Sequence, residues 1–235
     1  MKNERYTRNI PTLSEEEQAV LSGKKVLVAG CGGLGGFVIE YLVRLGVGDI
    51  TAVDGDCFEE SNLNRQLLSS VSKLGYSKAL AAKERAEDVN PGIKFAAVTE
   101  FIREDNAVSL IRGKDLVIDA LDNVSSRLIL EDAAAKCGVA VVHGAVQGLN
   151  IQVITAPPGM NRLHSLYRSA KPDAERGPKL KSTLVMAPAC CAAIEVSEAL
   201  RLLLGKKAES EDSFIILDLR DMSVAKLPAE AFGSK

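Results

Sequence analysis

The stretch "KKVLVAGCGGLGGFVIEYLVRLG", Lys24–Gly46, decides the fold. It opens on a short, continuously apolar run, the pattern of a strand buried on both faces. Gly30, Gly32, Gly33, Gly35 and Gly36 follow, and an apolar helical pattern begins among them. Glycine at such a junction permits a tight turn and lets phosphate approach the N–H groups at a helix N-terminus. "DITAVD" is a second strand ending on Asp54, where a carboxylate is placed to meet ribose hydroxyls. Strand, glycine turn, helix and acid in this order predict a nucleotide site on a Rossmann-like sheet.

Outward from this unit, strand and helix patterns alternate, which predicts an α/β fold with a mostly parallel sheet covered by helices on both faces. "SKALAAKERAEDVNP" reads as a helix, "IKFAAVTEF" as a third strand, "EDNAVSLIRG" as a short helix and "DLVIDAL" as a fourth strand. "SSRLILEDAAAKCG" is a helix stopped at Gly138. Beyond it, "VAVVHGAV" and "LNIQVITAP" follow with no helix between them, so antiparallel strands are added in the C-terminal part. Pro157 to Lys181 is polar and without period, and reads as a long functional or disordered loop. A long helix over Leu184 to Leu204 carries Glu195, Glu198 and Arg201, whose spacing predicts one wet face rather than a membrane span. "SFIILDL" and "MSVAKLP" close the sheet. At the other end, "LSEEEQAVLSG" is a short helix capped by Ser14, preceded by the arm "NERYTRNIP", which has little apolar content to dock it.

The 235 residues suffice for one large domain with a full core. With 29 Lys and Arg against 31 Asp and Glu, no basic surface favours nucleic acid or membrane. Cys31, Cys57, Cys137, Cys190 and Cys191 form no C-x-x-C pair, and read as reduced thiols of a cytoplasmic protein. His143 and His164 have no cysteine or acid at useful spacing and read as structural or surface residues.

"VDGDCFEESNLNRQLL", Val53–Leu68, narrows the nucleotide. Beside Asp54 and Asp56 it supplies Asn62, Arg65 and Gln66, and Lys78 follows shortly after. Hydride transfer needs no such pair of cations; chemistry at a triphosphate does, because charge builds on the transferring and leaving phosphates. Asp122, after the fourth strand, lies at the same carboxyl edge and is a natural magnesium ligand facing a polyphosphate. Taken alone, Asp122-Asn123 would cap a helix with Arg127 solvated beside it.

In order and spacing, "RYTRNI", "GCGGLGG", "DGDCFEESNLNRQ", Lys78 and "LDN" with Arg127 resemble the motifs of the MoeB/ThiF/HesA family, bacterial relatives of ubiquitin-activating enzymes. The resemblance covers about Arg5 to Leu219. It implies a homodimeric adenylyltransferase that uses ATP and magnesium to activate the C-terminal glycine of a ubiquitin-like sulfur-carrier protein ending in Gly-Gly. It also implies one adenylation domain across 1–235, with an arm and helix over 1–22, a nucleotide-binding half over 23–138 and a carrier-binding and dimerisation half over 139–235. Carried over residue by residue, Gly30, Gly32, Gly33, Gly35 and Asp54, with Asp56 beside it, would hold the adenosine. Asn62, Arg65 and Lys78 would contact the phosphates, and Gln66 would support their loop. Asp122, with Asn123 beside it, would hold magnesium, and Arg8 would reach the partner subunit's phosphates.

The chain departs from the family in two places. Many relatives carry two zinc-binding C-x-x-C pairs; here those regions read "MNRLHSLYR" and "SVAKLPAEAFGSK", so no zinc is expected. The cysteine that many relatives carry before the long helix is missing from "ERGPKLKSTLVM". Cys190 and Cys191 fall inside that helix as small apolar side chains. Adenylation residues are therefore intact, and the expectation is that sulfur chemistry falls to another protein. Two other readings compete: an NAD-dependent oxidoreductase, which leaves Arg65, Lys78 and Asp122 idle, and a non-catalytic module that keeps the fold to dock a carrier.

Overall fold

The computed structural model describes residues 4–168 and 182–228. Eight strands form one sheet in the order β3-β2-β1-β4-β5-β6-β7-β8. They are β1 (Lys25–Ala29), β2 (Asp49–Val53), β3 (Lys94–Val98), β4 (Leu116–Asp119), β5 (Val141–Gln147), β6 (Asn150–Ala156), β7 (Ser213–Asp218) and β8 (Ser223–Pro228). The first five pair in parallel and β5 through β8 antiparallel, as the missing crossover helix after β5 requires.

The helices are α1 (Glu15–Ser22), α2 (Gly33–Leu45), α3 (Lys78–Val89), α4 (Ala107–Ile111), α5 (Val124–Cys137), α6 (Arg162–Tyr167) and α7 (Met186–Leu203). Alternation along the strands sorts them into two layers. Val26 and Val28 of β1 face one core with Val38, Leu42 and Val196 of α2 and α7. Leu27 and Ala29 face the other, with Ile111, Leu130 and Ala134 of α4 and α5. The chain order reverses between β1 and β4, which opens a crevice at their carboxyl ends.

Three expectations change. Inside Pro157 to Lys181, α6 forms where no period was visible, while 169–181 lie outside the described residues. The wet face expected on the long helix is largely dry: Glu195 and Glu198 are buried, and of the three charged residues only Arg201 is exposed. The strand beneath explains Glu195, because Gly144 of β5 has no side chain and the Glu195 carboxyl occupies that space; a Cβ there would lie 2.4 Å from its carboxyl carbon. The N-terminal arm is docked. Its Tyr6 ring packs over Gly46, and Tyr6 Oη accepts a hydrogen bond from Asn90 Nδ2 at 2.7 Å. Arg5 donates to the Val89 carbonyl, and Asn9 Nδ2 to Gln18 Oε1 at 2.8 Å. Ile10 packs against the core as well, so the arm is held by an apolar side chain together with polar contacts to helix ends.

Candidate active site

The turn between β1 and α2 is tight for a steric reason. Gly30 sits at φ +98°, and a Cβ on it would lie 2.7 Å from the Ala120 carbonyl oxygen beyond β4. Two neighbouring strand ends thereby meet backbone to backbone, and Ala120 N–H donates to the Ala29 carbonyl at 2.9 Å. Asp54 closes the turn from β2. One of its oxygens accepts the Cys31 N–H at 2.7 Å and the other the Asp56 N–H at 2.8 Å. Burial pushes its carboxyl above the usual range, against the pull of those N–H groups and of Lys78.

Next to the turn, a short 3-10 segment over Glu60–Asn62 aims the polar run. Asn62 is buried and its Oδ1 accepts the Glu59 N–H at 3.1 Å, which fixes the segment's start. Arg65 lays its aliphatic stem against Gly33, 3.6 Å from where a Cβ would stand, while Nη1 donates to the Ser61 carbonyl and to Asn64 Oδ1. Gln66 lies equally close to Gly32 and is buried, and its Oε1 has no hydrogen-bond partner among the described residues. Lys78, at the first turn of α3, is 7% exposed and pairs with Asp56 Oδ2 at 3.1 Å. Two cations, an amide and the glycine turn therefore converge. The orphaned Gln66 oxygen and the small cradle of Gly32 and Gly33 fit a ligand rich in phosphate oxygens and hydroxyls, since an amide can turn either end toward it.

At the end of β4, Asp122 is exposed on the turn before α5. Asn123 is that helix's N-cap, its Oδ1 accepting the Ser126 N–H at 2.9 Å. A single carboxylate on this turn suits magnesium, which takes one or two protein carboxylates and finds its other ligands in water and phosphates. Among the described residues, no group of three or more His, Cys, Asp or Glu is arranged to hold a metal ion. Arg8 is exposed in the arm, away from this cluster, and makes no hydrogen bond or ion pair among the described residues.

Arg127 is not solvated. Its Nε and Nη2 donate to the Leu121 carbonyl at 3.2 and 2.7 Å, and Nη1 to Tyr167 Oη at 2.6 Å. Both histidines have acids beside them after all. His143 Nδ1 lies 2.8 Å from Asp119 Oδ2, both fully buried, and His164 Nε2 lies 2.9 Å from Asp132 Oδ1. The β4–β5 register places Asp119 beside His143, a proximity that 24 positions of sequence hide. Burial pushes the His143 imidazole down, although Asp119 pulls the other way. Cys31 and Cys191 are buried and their thiols pushed well up, whereas Cys57 is exposed.

Over 229 residues the chain is 31% identical to the "SAMP-activating enzyme E1" of Haloferax volcanii, covering 96% of this chain and 84% of that one. It is 33% identical over 233 residues to the "Sulfur carrier protein adenylyltransferase" of Thermus thermophilus, covering 95% and 86%. In fold, it resembles E. coli MccB solved with ATP, with a TM-score of 0.80 at 20% identity over 97% of this chain and 72% of that one. No described helix is long and apolar enough to cross a membrane. Residues 6–234 match the ThiF family, and the chain belongs to it.

Proposed function

We propose that this protein is an ATP-dependent adenylyltransferase that activates the C-terminal glycine carboxylate of a ubiquitin-like sulfur-carrier protein ending in Gly-Gly. The observation that carries this reading is the packing of Arg65 and Gln66 against Gly33 and Gly32, with a buried amide oxygen left unpartnered there. The names of the relatives from Haloferax volcanii and Thermus thermophilus support the class of substrate.

In the proposed reaction, a carboxylate oxygen of the carrier attacks the α-phosphorus of ATP. The bond from that phosphorus to the bridging oxygen breaks, and pyrophosphate leaves with its electron pair. The product is an acyl adenylate, and no side chain has to act as nucleophile. The chain's own part is alignment and charge: Gly30, Gly32, Gly33, Gly35, Asp54 and Asp56 hold the nucleoside end, while Asn62, Arg65, Gln66 and Lys78 meet the phosphates. Asp122 would hold magnesium, with Asn123 beside it facing the nucleotide; the ion would supply further neutralisation of phosphate charge.

Arg8 acts across a homodimer in this reading. Tyr6 is anchored on Gly46 and Asn90, at the C-terminal ends of α2 and α3. Those ends lie at the amino edge of the parallel strands, and α2, with 13 residues, is about 20 Å long. An arginine two residues from Tyr6 falls short of that length to its own glycine turn, which supports the reading that a second copy brings it. In the same scheme, residues 23–138 form the nucleotide half and 139–235 the carrier and dimer half.

Carrier-dependent ATP–pyrophosphate exchange, with mass spectrometry of an adenylate on a terminal glycine, tests the proposal. Arg65→Ala and Asp122→Ala should each lose about a hundred- to a thousand-fold in exchange while keeping the wild-type melting temperature. Wild-type exchange in either folded variant removes that residue from the mechanism.

A further inference from the structure

The Leu121 peptide, immediately before Asp122, is clamped on both sides. Its N–H donates to Asp119 Oδ1 at 3.0 Å, and its carbonyl accepts both bonds from Arg127. The two clamps are themselves joined. Asp119 meets His143 Nδ1, His143 Nε2 lies 3.0 Å from Tyr167 Oη, and Tyr167 Oη accepts from Arg127 Nη1. Leu121, Asp119, His143, Tyr167 and Arg127 thus form a closed hydrogen-bonded ring built from β4, β5, α5 and α6.

One arrangement of protons satisfies the whole ring. A neutral imidazole with its proton on Nδ1 donates to the Asp119 carboxylate, and Nε2 then accepts from the Tyr167 hydroxyl. That hydroxyl oxygen accepts the Arg127 proton in turn. The Tyr167 end is held in place from behind. Glu131 of α5 receives the Leu163 and His164 N–H groups at 2.8 and 2.9 Å, which pins the start of α6 to α5. Arg127 also lies over the Tyr167 ring, 5.4 Å from its centroid. None of these side chains has a part in the adenylation scheme above, and a buried polar ring of this kind fixes geometry better than apolar packing does.

We propose that His143 and Tyr167 are positioning residues for adenylation: through Asp119 and Arg127 they hold the Leu121 peptide rigid and so set the direction of Asp122 toward the phosphates. The consequence for the reaction rests on the adenylyltransferase reading; the clamp on Leu121 does not. Tyr167→Phe removes one hydroxyl and keeps the ring over Arg127. His143→Asn keeps a donor toward Asp119 and loses the link to Tyr167, whereas His143→Ala loses both.

Amide hydrogen exchange of the 119–127 segment reads the clamp directly. Faster exchange is expected there in Tyr167→Phe and His143→Ala, with partial recovery in His143→Asn. Turnover by the same variants should fall by up to about a hundred-fold with KM for ATP moved by less than about three-fold, because a misplaced group acts on the transition state. Unchanged protection of 119–127 in folded Tyr167→Phe overturns the proposal. So does loosened protection with wild-type turnover, since Asp122 would then need no clamp. A wild-type protein that loosens as described in the variants but never shows carrier-dependent exchange overturns the adenylyltransferase reading instead. Should His143→Ala fail to fold, the pair Tyr167→Phe and His143→Asn decides alone.

Discussion

Two regions of the molecule bond their polar groups by different means: the loops at the carboxyl edge of the parallel strands, and the packing around β5, α5, α6 and α7. In the edge loops, several side chains bond to backbone two or three residues away: Asp54 to Asp56, Asn62 to Glu59, Ser77 to Leu80, Asn123 to Ser126. In the second region, several partners are distant side chains or distant backbone. His143 meets Asp119, Glu131 meets Leu163, and Glu198 accepts both the N–H and the hydroxyl of Ser210 at 2.6 Å. Local bonds build loops that keep their shape around an open edge and leave cations facing it. Distant bonds lock one layer to another. The difference separates a surface built to receive a ligand from a core built to hold that surface still.

The largest expected effect breaks this division if it holds, because it makes the nucleotide half depend on another chain. Arg8→Ala should be nearly inactive, with a loss of about a thousand-fold, on the scale of arginines supplied in trans in phosphoryl transfer. Asp122→Ala should be comparably impaired. Mixing the two after subunit exchange should restore activity, since a mixed dimer has one site with both residues and one with neither. Random pairing makes about half of the dimers mixed, so recovery should approach roughly a quarter of wild type. A mixture that stays inactive although mixed dimers form would mean that Arg8 does not act across an interface.

A smaller effect sharpens the contrast inside α7. Three residues before Glu198, Glu195 is 0% exposed and neither carboxyl oxygen makes a well-formed hydrogen bond among the described residues. Burial, with the nearby Asp119 charge adding to it and Arg127 opposing, pushes this carboxyl well above the usual range. The folded state therefore keeps a proton that the unfolded state releases. Stability from this group is full below the unfolded carboxyl value of about 4.3 and declines as pH rises toward the folded value. The slope is at most about 1.4 kcal/mol per pH unit for one proton. Glu195→Gln carries no proton to lose, so its melting temperature should gain on wild type as pH rises above about 5. Parallel profiles for the two proteins would show that Glu195 is charged in the fold.

The same contrast explains what the chain revealed before its fold was known. The glycine turn, Asp54 and the β-α alternation are readable because each rests on neighbours within one β-α-β unit. The antiparallel turn after β5 is readable because no helix fits in the few residues between "VAVVHGAV" and "LNIQVITAP". The ring is not readable. His143 and Asp119 meet only through the β4–β5 register, and Tyr167 reaches them only because Glu131 seats a six-residue helix too short to show a period. The dry face of α7 was hidden for a related reason. Spacing on a helix tells which residues share a side, but only the glycine on the facing strand tells that a carboxylate is accommodated there. A hint was present in "HGAV", where a strand glycine marks close approach of another element.

The smallest expected effect concerns Asn123, where the local style of the nucleotide half and ligand binding meet in one side chain. Its Oδ1 is committed to the Ser126 N–H as the cap of α5, while the adenylation reading also sets the residue beside magnesium and nucleotide. Capping alone predicts that Asn123→Ala loses about 1 kcal/mol of stability and that Asn123→Ser, another good cap, recovers most of it. Ligand binding predicts a second difference, because serine lacks the amide donor. Asn123→Ser should then match wild type in melting temperature without ligand, yet show a raised KM for ATP and a smaller thermal shift with ATP and magnesium. If serine matches wild type in all three measurements, Asn123 serves only to start the helix, and the contact with nucleotide must be withdrawn from it.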